Sequence, residues 1–431
     1  MEAKNKRPNV LFIAVDDLRT ELGCYDTDYV ISPNIDRLAG QGGCFTHAYC
    51  QSGVCNPSRA SLMTGLRPDS TRVWDLHTHF RDTIPDVTTL PQHFMRAGYY
   101  CGAIGKIYHN DLLDPLSWSE PRICIEGYPY DPDAVYRDED NTEYLERRKV
   151  EITAEGRQER YIDPLGQWYL KASATECPDV PDDAYYDGAQ TDVAIEKLGE
   201  LAGRDEPFFF GVGYYRPHLP FNVPKRYWDM YDRDTIPLAE NDYPPINVPP
   251  MAMNNLRELT GYTDMCDAKH PLEGKLNEAD SRLLKHGYLA SVTYIDTQVG
   301  KLLARLDELG LADNTIVVLW GDNGWKLGEH ASWCKMTNFE TDTRVPLIVR
   351  APDIAPAVCS QFVEFVDVYP TLCELAGLEL RPGLEGESAV AIMRDPALAG
   401  KGAARSQFLR SGIWKAPDGR DYRSEERRGG K

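Results

Sequence analysis

The sequence predicts an α/β fold, a central and mostly parallel sheet flanked by helices, and three observations carry that prediction. Continuous apolar runs at 9–15, 207–213 and 314–320 do not alternate, as expected of strands buried on both faces. Helical periodicity stands between such runs, over 33–42, 88–98, 187–203 and 281–309. Two of the runs end on paired oxygen-bearing residues, Asp16-Asp17 and Asp322-Asn323, at the edge where open α/β sheets place their ligands.

The first strand, 9–15, runs into Asp16 and Asp17. Adjacent side chains diverge in an extended segment, so both reach one ion only where the strand has ended; otherwise they merely cap the next element. The 33–42 helix opens near Pro33 and closes at Gly42. Then comes Cys55-Asn56-Pro57-Ser58-Arg59, leading to Met63-Thr64-Gly65. It places a small nucleophile in a turn, then a proline that opens a helix, and an arginine one helical turn from the sulfur. A lone cysteine is most often a buried small apolar residue; the string as a whole singles this one out.

After the 88–98 helix and a strand at 100–104, Gly105-Lys106-Ile107-Tyr108-His109 puts Lys106 and His109 at the same sheet edge. Residues 114–186 lack an apolar period and read as an excursion over that edge. Past the 207–213 strand, His218 sits in Arg216-Pro217-His218-Leu219-Pro220-Phe221, which predicts an extended, poorly mobile backbone suited to a proton donor. Residues 231–273 are irregular and proline-rich, and Gly300 is expected to break the 281–309 helix. The 314–320 strand ends in Gly321-Asp322-Asn323-Gly324, alone a common turn, but here the second oxygen pair closing a buried strand. Trp325 and Lys335 follow, then one strand over 344–350 and a helix over 367–377.

The chain has 431 residues, 42% hydrophobic and 26% charged, enough for a large core. We expect a main domain at 1–380 and the beginning of a smaller C-terminal subdomain at 381–431. A net charge of -20 argues against broad contact with nucleic acid or an anionic membrane. No run has transmembrane length and none has the pattern of a signal peptide, so a cytoplasmic protein and a secreted or periplasmic one lacking its leader fit equally. The 11 cysteines are odd in number and scattered, which speaks against a disulfide framework. Asp16, Asp17, Asp322 and Asn323 are hard oxygen donors suited to Ca²⁺ ahead of Mg²⁺.

The Cys55 string, together with Val15-Asp16-Asp17-Leu18-Arg19, the Lys106 and His218 strings, Tyr294-Ile295-Asp296-Thr297-Gln298-Val299-Gly300 and Gly324-Trp325-Lys326-Leu327-Gly328-Glu329-His330, resembles the sulfatase family of the alkaline-phosphatase-like superfamily. The likeness is closest to the iduronate-2-sulfatase group, which generally has His where this chain has Asn323; sulfatases more broadly have Asn. The resemblance implies a sulfuric ester hydrolase whose Cys55 is oxidised to formylglycine by a maturation enzyme. The hydrated aldehyde attacks sulfur through one oxygen, and its second hydroxyl then loses a proton and ejects sulfate. Cys55 joins Asp16, Asp17, Asp322 and Asn323 around the cation. Arg59, Lys106 and Lys335 hold anionic charge, His218 or Lys335 protonates the departing oxygen, and His109 is the base of the elimination. Trp325, Lys335 and His218 contact a sulfated saccharide, with a 2-O-sulfated uronic acid at the end of heparan or dermatan sulfate as the implied substrate. The alternatives are a phosphate or phosphonate monoester hydrolase of the same fold and a non-catalytic sugar-binding homologue. Family members continue into further C-terminal strands, whereas the charged run 423–431 reads as the disordered tail of a truncated chain.

Overall fold

In the computed structural model, which describes residues 7–110, 112–125, 135–161, 168–415 and 421–429, the apolar run at Asn9–Val15 is the strand around which the main sheet is built. In chain order the strands are β1 (Asn9–Val15), β2 (Gly43–Tyr49), β3 (Tyr100–Gly105), β4 (Thr175–Glu176), β5 (Phe208–Tyr214), β6 (Phe221–Asn222), β7 (Thr315–Gly321), β8 (Lys326–Leu327), β9 (Trp333–Cys334), β10 (Arg344–Val345), β11 (Leu347–Arg350), β12 (Ala357–Glu364), β13 (Ala403–Lys415) and β14 (Asp421–Gly429). Parallel partners, β5 and β7, flank β1. Its side chains alternate between two cores: Leu11, Ile13 and Val15 on one face, Val10, Phe12 and Ala14 on the other. That double burial is why the run reads as continuously apolar.

The sheet runs β10-β2-β11-β7-β1-β5-β3, with β12 added beside β2. From β3 to β7 the strands are parallel; β11 is antiparallel to both β7 and β2, and β12 is parallel to β2. Helices Pro33–Ala39, Tyr186–Ala202 and Glu278–Glu308 pack on one face, and Cys55–Thr64, Leu90–Arg96 and Phe365–Leu375 on the other. This is the α/β arrangement that the apolar runs predict, a central and largely parallel sheet with helices on both faces. Every residue of the Cys55–Thr64 helix is buried, which accounts for its lack of an amphipathic stripe.

Several expectations change. The strand expected over 344–350 is two, β10 and β11, because Pro346 has no N–H to donate; its carbonyl accepts from Gly321 N at 3.2 Å. Gly300 does not break its helix, which runs from Glu278 to Glu308. Its missing side chain makes room for Asn34, since a Cβ there would lie 2.5 Å from Asn34 Cγ. One turn earlier, Asp296 accepts from Asn34 N at 2.9 Å and Ile35 N at 2.8 Å, satisfying the open end of the Pro33–Ala39 helix. The 114–186 excursion contains a helix, Glu139–Ala154, started by Asp138, whose side chain accepts from Asp140 N and Asn141 N. The segment around His218 is a turn rather than extended backbone, closed by His218 N donating to Tyr215 O at 2.9 Å. Residues 423–429, expected as a disordered tail, form most of β14, antiparallel to β13; 430–431 lie outside the described residues. A charged run satisfies the backbone ladder as well as an apolar one does and suits an edge strand.

Glu364, 3% exposed, ties this C-terminal region to the main sheet. It accepts from Arg67 at 2.6 and 2.8 Å, from Lys401 at 3.0 Å and from Arg405 N at 2.9 Å. Burial alone would raise its carboxyl, but the Arg67 hydrogen bonds and Lys401 outweigh burial and hold it below its usual value. A depressed folded value stabilises above the unfolded one, and that stability is lost as pH falls through the folded value. Glu364→Gln is therefore expected to cost about 2 kcal/mol at neutral pH. The gap to wild type should close below about pH 4 in urea melts at stepped pH; a gap independent of pH would contradict it.

Candidate active site

Strand register brings the oxygen pairs together. Val15 of β1 lies opposite Gly321 of β7, so Asp16 and Asp322 leave the sheet side by side. Asp322 N donates to Val15 O at 3.2 Å and Asp16 N to Tyr214 O at 3.1 Å. Asp17 has φ 56°, and this left-handed turn lets two adjacent aspartates that would diverge in a strand face one centre. Asp17 N and Asn323 N both donate to Asp322 Oδ1, at 3.0 and 2.9 Å. Ligand atoms of Asp16, Asp17, Asp322 and Cys55 lie within 4.8 Å of one another, all buried. Asn323 Nδ2 donates to Asp17 Oδ1 at 2.6 Å, while its buried Oδ1 has no hydrogen-bond partner among the described residues. That orphaned acceptor beside three carboxylates fits a hard divalent cation.

Cys55 is the first residue of its helix, with Pro57 inside the first turn, and its Sγ lies 3.3 Å from Asp16 Oδ1. Burial, then Asp16 and Asp322, push the thiol well above its usual value, so it stays protonated. Arg59, one turn on, sends Nε to Asp322 Oδ2 at 2.8 Å and Nη2 to Asp16 Oδ1 at 3.4 Å. Its Nη1 donates to Ile107 O at 3.2 Å and to Lys106 O. Arg59 thus neutralises the aspartates from behind.

Gly105 has φ 73°, and a Cβ there would meet Gly213 O at 2.1 Å, so only glycine lets the chain turn and deliver Lys106. Lys106 Nζ reaches Asp16 Oδ2 at 2.5 Å. Lys335 Nζ lies 2.6 Å from both Asp17 oxygens and 5.0 Å from the centre of the Trp325 ring. The backbone around Lys335 is strained, with Cys334 at φ 64° and Met336 at φ 76°. A buried pair, Lys326–Asp342 at 2.5 Å, anchors the loop, Asp342 also accepting from Thr337 N at 2.8 Å. Burial pushes Asp17 up to about 7 although Lys335 opposes it; for Asp16, burial is outweighed only by Lys106, His218, Arg59 and Lys335 acting together, which hold the carboxyl below the usual range.

His218 Nε2 is 3.9 Å from Asp17 Oδ2, and its ring centre is 6.4 Å from that of Trp325. Trp325 is buried, so it walls the cluster rather than projecting from it. His109 is also buried, Nδ1 without a partner among the described residues, and burial and Lys106 hold the imidazole neutral. It shares the field of Asp16, Arg59 and Lys335, but no contact joins it to the carboxylates among the described hydrogen bonds. The residue that sequence reasoning missed is Glu258, whose Oε1 lies 3.0 Å from His218 Nε2 and 3.2 Å from Lys335 Nζ.

The sulfatase family model matches residues 8–378. The chain is 36% identical over 411 residues to iduronate 2-sulfatase from Homo sapiens, covering 87% of this chain and 70% of that protein. It is 35% identical over 407 residues to the Mus musculus enzyme, covering 87% and 69%. A solved structure, a protein in complex with its substrate D-glucosamine-2-N,6-O-disulfate, superposes with TM-score 0.74 at 22% identity, covering 98% of this chain and 87% of that one.

Proposed function

Because the chain belongs to the sulfatase family and is a sulfuric ester hydrolase, we propose that it removes the 2-O-sulfate from a uronic acid at the end of a sulfated glycosaminoglycan, using formylglycine made from Cys55. The observation that carries the chemistry is Cys55 Sγ set 3.3 Å from Asp16 within the carboxylate cluster. The 35–36% identity to iduronate 2-sulfatases over most of the chain supports the substrate.

Asp16, Asp17, Asp322, Asn323 and residue 55 would hold the cation, Ca²⁺ before Mg²⁺, which supplies a fixed positive charge for the sulfate oxygens. Formylglycine supplies, when hydrated, one hydroxyl to displace the alcohol at sulfur and a second whose deprotonation releases sulfate. Lys106 and Lys335 face the same centre and bind the anionic ester, while Arg59 keeps the aspartates charged and in place. His218 or Lys335 gives its proton to the departing sugar oxygen. Neutral His109, whose Nδ1 has no partner among the described residues, suits the base.

The test is a panel of 2-O-, 6-O- and N-sulfated disaccharides offered to matured protein. The 2-O-sulfated uronate should be preferred by about 10²-fold in kcat/KM, and faster 6-O or N release would refute this substrate. In the same protein, chelation should abolish turnover and Ca²⁺ restore it better than Mg²⁺. Saturating Ca²⁺ at one hundred times Kd should stabilise the fold by about 2.7 kcal/mol.

A further inference from the structure

We infer that Glu258 is the positioning residue for proton donation: it holds His218 and Lys335 on the leaving-group side of residue 55, and its contribution grows with the basicity of the departing alcohol. The inference rests on the reading above that those two residues serve the departing oxygen. One carboxylate oxygen, Oε1, faces both donors, at 3.0 Å from His218 Nε2 and 3.2 Å from Lys335 Nζ. On the other side of the imidazole, Nδ1 lies 2.6 Å from Leu219 O. A carbonyl only accepts, so Nδ1 carries a hydrogen, and with Glu258 across the ring both nitrogens face acceptors and ring rotation is fixed.

A second tie is independent of the carboxylate. Asn254, buried and four residues before Glu258, donates through Nδ2 to Trp333 O at 2.6 Å and to Lys335 O at 3.0 Å. The 254–258 segment therefore grips the Lys335 backbone with one side chain and the Lys335 ammonium with another. Leu256, at φ 52°, and Leu259 are buried in the core and hold the segment down. Glu258 Oε2 is buried with no hydrogen-bond partner among the described residues, so the carboxylate retains acceptor capacity as its donors shift toward a substrate.

In the step served, the nucleophile at position 55 makes the new bond to sulfur as the bond from sulfur to the alcohol oxygen breaks. The electron pair stays on that oxygen, and the proton leaves His218 Nε2 for it. A nitrophenolate departs readily without the proton, whereas a sugar alkoxide does not. Glu258→Ala should lower kcat/KM for a sulfated disaccharide by about 10²-fold, at least tenfold more than for 4-nitrophenyl sulfate, with the difference in kcat rather than KM. Glu258→Gln, which keeps an acceptor, should recover part of it. Equal losses on both esters, or a loss confined to KM, would overturn the inference and mark a merely structural carboxylate. His218→Asn separates the two readings. If it shows the leaving-group dependence and Glu258→Ala does not, only the role of Glu258 falls; if neither variant shows it, the donor assignment falls as well.

Discussion

Cys55→Ala is expected to lower sulfate-ester turnover by about 10⁴-fold or more, the scale on which enzymes fail when the nucleophile of a preorganised site is removed. The loss should be this large because no substitute stands ready: among the described residues Ser58 is the nearest hydroxyl along the helix, and it is committed to Asp322 O at 2.5 Å. The fold should survive. Residue 55 is a small buried side chain at a helix start, and truncating it is expected to cost about 1 kcal/mol in urea unfolding. In wild-type protein, activity should rise in proportion to the fraction of the Cys55 peptide whose mass shows thiol converted to aldehyde. Full activity in unconverted protein would refute the formylglycine reading, because burial beside Asp16 and Asp322 keeps the thiol protonated.

What the sequence makes legible is what burial on two faces writes into it. The 9–15 and 314–320 runs are unbroken because each strand lies between two cores, and the polar residues that end them stand out by contrast. Asp16, Asp17, Asp322 and Asn323 are read that way, and the structure brings them together with Cys55, Arg59, Lys106 and Lys335. Glu258 leaves no such mark. It lies in a proline-rich stretch without period, and its importance comes from two residues, His218 and Lys335, far away in sequence. The Glu139–Ala154 helix is hidden for a related reason: only Asn141 and Ile152 are buried, too few for an apolar stripe. Gly300 misleads because a glycine in a helix can mark a close approach as well as a break, and Asn34, the residue it admits, is distant in sequence.

Removing Arg59 should produce the largest loss of stability among the site residues. Asp16 and Asp322 are fully buried, and among the described residues Arg59 is the cation that touches both, at 3.4 and 2.8 Å, while also donating to the backbone that carries Lys106. Taking away one member of a buried ionic cluster strands the others without solvent, and Arg59→Ala should cost about 3–5 kcal/mol. Lysine will not repair it, since one ammonium cannot reproduce the guanidinium fork that spans two carboxylates and two carbonyls. The check is urea unfolding of wild type, Arg59→Ala and Arg59→Lys, each with and without Ca²⁺. If Arg59 acts by balancing the aspartates, a divalent cation on those oxygens should return more stability to the alanine variant than it adds to wild type. A loss under about 1 kcal/mol, or equal gains from Ca²⁺ in both proteins, would show that Lys106 and Lys335 carry the balance alone.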